Sequence, residues 1–248
     1  MPVVHRLFVE SANIADGFAN IASSDVNYLK NVLRLKAGDQ LIICTGESKS
    51  FVGNIYKIEP FSITARIEKE LEENNEPKTR ITLAQSLPKG HKFDSIIQKS
   101  VELGVFEIIP VLTERSIPKI DQNKNFKIPR WQIIAKEAAK QCQRSFIPKI
   151  QPIVDFITAV NLIKDFDYGL IFWELEREQT LKSFLSKLSR KTSNRIIILT
   201  GPEGGFSQNE VAAAKNAGFI SLSLGKRILR SETAPLFVLA NILYELEQ

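Results

Sequence analysis

Along the first seventy residues the apolar positions fall in short runs broken by polar ones, the length and rhythm of single strands. Arg6 to Val9, Gln40 to Thr45, Ser50 to Ile58 and Ser62 to Glu70 therefore predict strands, with Gly46 to Lys49 as a turn. One helix interrupts them. Ser24 suits its N-cap, and Val26, Leu29, Val32 and Leu33 then recur at the spacing of one helical face. The stretch Glu72 to Lys78 is polar, carries a proline and has no apolar period, so a domain boundary is expected there.

Beyond it the rhythm changes. Strands are predicted at Arg80 to Ser86, Glu107 to Leu112, Tyr168 to Trp173, Arg195 to Thr200 and Ile220 to Leu224, with helical stretches between them. His91 to Leu103 places Phe93, Ile96, Ile97 and Val101 on one face and stops at Gly104, which suits a left-handed helix end. Pro129 opens a helix running to Arg144. Ser207 and Glu210 match a capping box, and Gly218 ends the helix they start. Strand and helix in alternation predict an α/β domain with a mostly parallel sheet covered on both faces. The expected division is a small β-rich module, residues 1–75, followed by the α/β domain, residues 76–248.

With 248 residues, 44% of them hydrophobic, the chain has enough apolar surface for two modest cores. It has no run of about 18 apolar residues to span a bilayer, and Met1 to Val9 lacks the layout of a secretory signal, so a cytoplasmic protein is expected. Cys44 and Cys142 lie far apart among apolar neighbours and read as two buried free thiols. With His5 and His91 they form no zinc-ligand spacing, and no metal is expected. Charge is divided unevenly: residues 1–76 hold 8 Lys or Arg against 11 Asp or Glu, and the remainder 25 against 17. Within the remainder, Thr113 to Ile150 carries nine basic residues, including Arg115, Lys119, Lys124, Arg130 and Arg144, against three acidic ones. Such a cluster suits a polyanion, although a solvated loop and helix face would read the same way.

Two segments carry candidate chemistry. Leu199-Thr200-Gly201-Pro202-Glu203-Gly204-Gly205-Phe206-Ser207 leaves an apolar strand and enters a capped helix. At the carboxyl end of a strand in an open α/β sheet, glycines let backbone groups approach a ligand, and a nucleotide-like ligand is the natural occupant. A tight strand-to-helix turn would need the same glycines. The segment lacks the lysine of a phosphate-binding P-loop and does not follow the dinucleotide pattern Gly-x-Gly-x-x-Gly. The second segment, Leu224-Gly225-Lys226-Arg227-Ile228-Leu229-Arg230-Ser231-Glu232-Thr233-Ala234, crowds three cations and a carboxylate into a loop at the same sheet edge. Charged groups so placed can bind a polar substrate, and Glu232 would equally suit the positive end of the next helix.

Taken together the two segments resemble the signature of the RsmE family, which methylates N3 of a uridine in 16S ribosomal RNA. Further matches run through nearly the whole chain: His5-Arg6, Val32-Leu33-Arg34 with Gly38-Asp39, Gln98-Lys99 with Glu102-Leu103-Gly104-Val105, Thr113-Glu114-Arg115-Ser116, and Glu137-Ala138 with Gln141 and Arg144. The chain departs from the family pattern at Asn27-Tyr28, where a histidine is expected, and at Pro235, which a first helical turn tolerates. The resemblance implies an N-terminal PUA-like β-barrel that positions RNA and a C-terminal SPOUT domain, a trefoil-knotted α/β fold that holds S-adenosylmethionine in its knot. It also implies a homodimer formed through the knot region.

On that basis donor binding is expected from Leu199, Thr200, Gly201, Glu203, Gly204, Leu224, Gly225, Ile228 and Leu229, with Thr233, Ala234 and Glu174 as further contacts. Arg230 is the candidate to stabilise charge on the uracil oxygens, with Glu232 as proton acceptor or as the group that orients Arg230. Arg6, Arg34, Arg115, Arg130 and Arg144 are the candidates for RNA phosphates. Two other functions are compatible with the same residues: a SPOUT methyltransferase acting on transfer RNA, and a non-catalytic RNA-binding or ribosome-assembly factor.

Overall fold

The computed structural model describes residues 5–21, 23–71, 75–116, 127–188 and 194–247. Its contacts divide the chain into two units, Met1–Glu76 with Ala139–Ile147, and Pro77–Ala138 with Pro148–Gln248. The segment Ala139–Ile147 thus joins the first unit, which the sequence pattern alone assigns to the second. Residues 72–74 of the polar boundary stretch, and Lys119 and Lys124 of the basic stretch, lie outside the described residues.

The first unit contains β1 (His5–Phe8), β2 (Ile14–Ala15), β3 (Phe18–Ile21), α1 (Ser23–Asn27), β4 (Gln40–Cys44), β5 (Ser50–Ile58) and β6 (Ile63–Glu70). Its described strands form one sheet in the order β1-β4-β5-β6-β3-β2, with β1 parallel to β4 and the other pairs antiparallel. Period-two burial puts Leu41 and Ile43 of β4 into a core with Leu7, Ile21, Ile55 and Ile63. Val26 and Leu29 join this core as their spacing predicts, but Val32 is 66% exposed. The reason is local: after α1 the chain widens into a π-helical turn, Tyr28–Val32, which shifts the phase of the apolar face.

The segment after Ala139 is organised by one carboxylate. Glu76 accepts from Arg144 Nη2 at 2.7 Å and Nε at 3.0 Å, and from the backbone N–H groups of Ser145 at 3.0 Å and Phe146 at 3.1 Å. The Arg144 side chain is only 6% exposed. It belongs to an internal ion pair, which corrects its assignment to RNA phosphates. Cys44 is buried as expected, whereas Cys142 is partly exposed, because it sits in the turn that leaves the helix rather than on the helix's apolar face.

The second unit contains β7 (Arg80–Ser86), α2 (Lys92–Glu102), β8 (Glu107–Leu112), most of α3 (Ile128–Gln141), β9 (Lys149–Ile150), β10 (Val154–Asp155) and α4 (Phe156–Asn161). It continues with β11 (Tyr168–Phe172), α5 (Leu181–Leu185), β12 (Arg195–Thr200), α6 (Gln208–Ala217), β13 (Ile220–Leu222) and α7 (Ala234–Leu246). The described strands lie in the order β10-β8-β7-β12-β11-β13, with β9 beside β8, and every pair is parallel. The central strands are apolar on both faces, as Ile196 to Leu199 show, because helices cover both. Helices α4 and α6 pack against each other, and α7 packs against both α2 and α5. Helix α7 follows β13 at one sheet edge yet packs back against α2 and β7. The capping box of Ser207 and Glu210 and the left-handed Gly104 and Gly218 form as predicted.

Candidate active site

In a parallel sheet every strand delivers its following loop to the same edge, and a ligand site forms where the loops part. Here the loops after β11, β12 and β13 enclose a cleft of about 360 Å³, within the ordinary range for small-molecule sites. Phe172, Trp173 and Glu174 line it from β11, Thr200 to Gly205 from β12, and Ser223 to Leu229 with Ser231 and Ala234 from β13.

The β12 loop is held from three sides. At its start the Thr200 hydroxyl donates to Gln85 Oε1 at 2.7 Å, a buried link to the end of β7. In its middle Arg115 Nη1 donates to the Gly204 carbonyl at 2.8 Å. At its end the Glu210 carboxylate accepts from the Ser207 N–H at 2.9 Å and from the Glu114 N–H at 2.8 Å. Gly205 permits the turn: its φ is +66°, and a Cβ there would stand 2.4 Å from Glu174 Oε1. In the β13 loop, Ser223 Oγ accepts from the Gly225 N–H at 3.2 Å, and the Arg230 carbonyl accepts from Thr233 and Ala234 to begin α7. Beyond the cleft the Arg230 side chain is 82% exposed, with Nη1 4.0 Å from Glu232 Oε1.

The first residue of α2 joins these loops. Lys92 Nζ lies 2.9 Å from Glu203 Oε1 and 3.3 Å from Glu232 Oε2. Glu203 also accepts from the Lys89 N–H at 3.2 Å, and Glu232 from the Ser231 hydroxyl at 3.1 Å. Burial opposes ionisation of Glu232, but its own backbone N–H, Ser231 and Lys92 outweigh that and hold its carboxyl below the usual range. Glu203 is lowered in the same way, chiefly by Lys92 acting against burial. The Lys92 ammonium is pushed up by Glu203 first and then, against a desolvation cost, by Glu232.

Nine of the expected donor-binding residues therefore stand on the cleft wall: Thr200, Gly201, Glu203, Gly204, Leu224, Gly225, Ile228, Leu229 and Ala234. Glu174 joins them. Leu199 does not, since its side chain is buried in the core beside Phe206 and its backbone is paired within the sheet. Thr233 lies off the wall, at the start of α7. Lys92 and Gln85 are absent from the sequence reading, although both follow from it: the strand ending at Ser86 must deliver them to the edge where the glycine loops lie.

The arginines expected to meet RNA divide. Arg34 is exposed, with φ +55°. Arg6 is half-buried, its Nη1 3.8 Å from Cys44 Sγ. Arg115 is committed to the Gly204 carbonyl, and Arg130 pairs with Asp94. Among the described residues no group of three His, Cys, Asp or Glu is placed to hold a metal ion, and no helix is long and apolar enough to cross a membrane.

Comparison with known proteins bears on this arrangement. Residues 74–243 match the family model of an RNA methyltransferase domain, and residues 21–68 that of an RNA methyltransferase PUA domain. The chain is 33% identical to the ribosomal RNA small subunit methyltransferase E of Bacillus subtilis, over 92% of this chain and 90% of that protein. It is 34% identical to the protein of that name from Mesomycoplasma hyopneumoniae, over 95% and 97%. Among solved structures, ribosomal RNA small subunit methyltransferase E of Neisseria gonorrhoeae bound to S-adenosyl methionine superposes with a TM-score of 0.85 at 32% identity, covering 96% of each chain.

Proposed function

Because the chain belongs to the ribosomal RNA small subunit methyltransferase E family, we propose that it transfers the methyl group of S-adenosylmethionine to N3 of a uridine in 16S ribosomal RNA. Methylation of ribosomal RNA from S-adenosylmethionine is the activity of the family, and the fold is of the SPOUT class with a PUA-like unit before it. The choice of uridine N3, a cytoplasmic setting and the roles of single residues are the finer parts of the proposal.

The cleft suits this donor. Leu224, Ile228 and Leu229 offer an apolar wall for the adenine, and the backbone of Thr200 to Gly205 offers donors and acceptors. Glu174 and Glu203 offer carboxylates to hydroxyl or ammonium groups. At Gly225, with φ +107°, a Cβ would meet nothing within 4 Å, so the backbone there faces open space. When bound, S-adenosylmethionine supplies an electrophilic methyl carbon: its bond to N3 forms as its bond to sulfur breaks, sulfur keeps the pair, and the N3 proton leaves to a base.

The protein's own residues must place the base and accommodate charge. Glu232 is the carboxylate beside Arg230 and takes the proton on a carboxylate oxygen. A carboxyl held below the usual range is a weak base, so stabilisation of the uracil oxygens must carry most of the acceleration, and the exposed Arg230 guanidinium supplies it. RNA approach is assigned to Arg34, Arg6 and the exposed cations Lys226 and Arg227, which position phosphates without reading sequence.

The observation that carries this reading is the meeting of the 200–205 and 223–229 loops in one cleft at the carboxyl ends of β12 and β13, the two strands that flank β11. Calorimetry with S-adenosylmethionine is expected to show binding, and incubation with 16S ribosomal RNA to add one methyl group, located on uracil N3 by mass spectrometry of nucleosides. Absence of donor binding would leave an RNA-binding factor. A methyl group found on transfer RNA or on a ribose would overturn the target.

A further inference from the structure

Three loops from three strands meet at one ammonium group. Lys92 stands at the start of α2, Glu203 in the loop after β12 that walls the donor cleft, and Glu232 two residues beyond Arg230. We propose that Lys92 is a positioning residue for methyl transfer, tying Glu203 to Glu232 so that the donor loop and the loop bearing Arg230 keep one register. The inference rests on the donor cleft and the roles of Arg230 and Glu232 given above, and concerns a residue outside the cleft wall.

The geometry favours this over a purely stabilising ion pair. The side chains of Lys92, Glu203 and Glu232 are 37%, 29% and 28% exposed, and pairs so open to water contribute little to folding. What Lys92 adds is separation of two like charges. Without its ammonium, two carboxylates would share one site, and each would favour protonation or withdrawal.

The two loops would not suffer equally. Glu203 keeps the Lys89 N–H, and its loop keeps the Thr200 to Gln85 and Arg115 to Gly204 links. Glu232 keeps the Ser231 hydroxyl and its own backbone, with Arg230 at 4.0 Å. Loss of Lys92 therefore acts more on the transfer step than on donor binding. It also acts on protonation: the charged groups facing Glu232 are Lys92 from α2, Arg230 from its own loop and, through Lys92, Glu203 from the β12 loop.

The test compares wild type, Lys92→Met and Lys92→Arg, with methylation of 16S ribosomal RNA followed over pH and S-adenosylmethionine binding followed by calorimetry. In Lys92→Met, kcat is expected to fall on the order of tenfold to a hundredfold, the scale of a small misplacement of reacting groups, with donor KM changing only a few-fold. The acid limb of the kcat profile should move to higher pH, and Lys92→Arg should restore its position. Should Lys92→Met melt early, Lys92→Gln, which keeps a polar tip, is measured in its place. A folded neutral variant with unchanged kcat and an unmoved acid limb overturns the inference. Failure of the wild type itself to bind the donor or methylate RNA would instead overturn the functional reading beneath it.

Discussion

Arg230 can be changed without disturbing its surroundings, because its carbonyl, not its side chain, holds the start of α7. Arg230→Ala is therefore expected to leave donor affinity within a few-fold while kcat falls by on the order of a hundredfold, since the charge it meets exists only as N3 loses its proton. Lysine at this position should recover part of the rate, as it restores charge without the planar fork. Turnover of Arg230→Ala within a few-fold of wild type, at saturating donor and RNA, would reduce Arg230 to a binding residue. Candidate chemistry of this kind was legible in the sequence because the charged residues sit beside glycines at a strand end. Burial was not legible: Arg144 and Arg34 look alike in a count of charges, and only the carboxylate of Glu76, 68 residues away along the chain, makes one internal. Leu199 shows the reverse, being adjacent in sequence to the cleft loop but buried in the core as part of the sheet.

Elements were legible where a period could be counted. The strands β5, β7, β8 and β12 have the predicted bounds, and the apolar face of α2 is buried as read. β2, β9 and β10 are two residues each, too short to show any period, and exist only through their partners. Helices α4 and α5, of six and five residues, are also too short to show a full apolar period, although Asp155 caps one by accepting from the Thr158 N–H, and Thr180 and Ser183 form a capping box on the other. Between β11 and α5 the chain is fixed by Glu176, which accepts from the N–H groups of Arg177 and Glu178 and lies 3.4 Å from Lys215 of α6. Burial works against its charge, yet the Glu178 N–H, Lys215 and other donors win and pull the carboxyl down to about 2. A depressed carboxyl stabilises the fold above its unfolded value, near 4.5, and that contribution is lost as pH falls toward 2. Glu176→Gln is accordingly expected to cost about 1–3 kcal/mol at neutral pH and to flatten the stability profile between those values. Chemical denaturation at pH 7, 4.5 and 3 checks this, and parallel profiles for the two proteins would count against it.

At the scale of the molecule, an association of two copies is expected, and one face of α7 supports it. Phe237, Asn241 and Tyr244 are exposed at helical spacing, with Tyr244 68% open to solvent. They border a groove that shares Leu224 and Gly225 with the donor cleft, so a second copy seated there would touch the cleft wall. Light scattering at micromolar concentration should give a dimer mass, and Tyr244→Glu should lower both that mass and donor affinity. A monomeric wild type would remove the association, and a monomeric variant with intact affinity would remove the link. None of this was legible from periodicity, because neither self-association nor the threading of distant segments leaves a local mark; both entered through the family resemblance.

The return of α7 from the sheet edge to β7 and α2 has a consequence for how the protein is made. The ribosome synthesises β7 long before α7, so the middle of the sheet must wait for α7 before its covering is complete. Until then apolar surface on β7 and α2 stays open to other chains, and closing contacts so remote in sequence is slow. The sheet thus remains half-covered and aggregation-prone until α7 has been made and has docked.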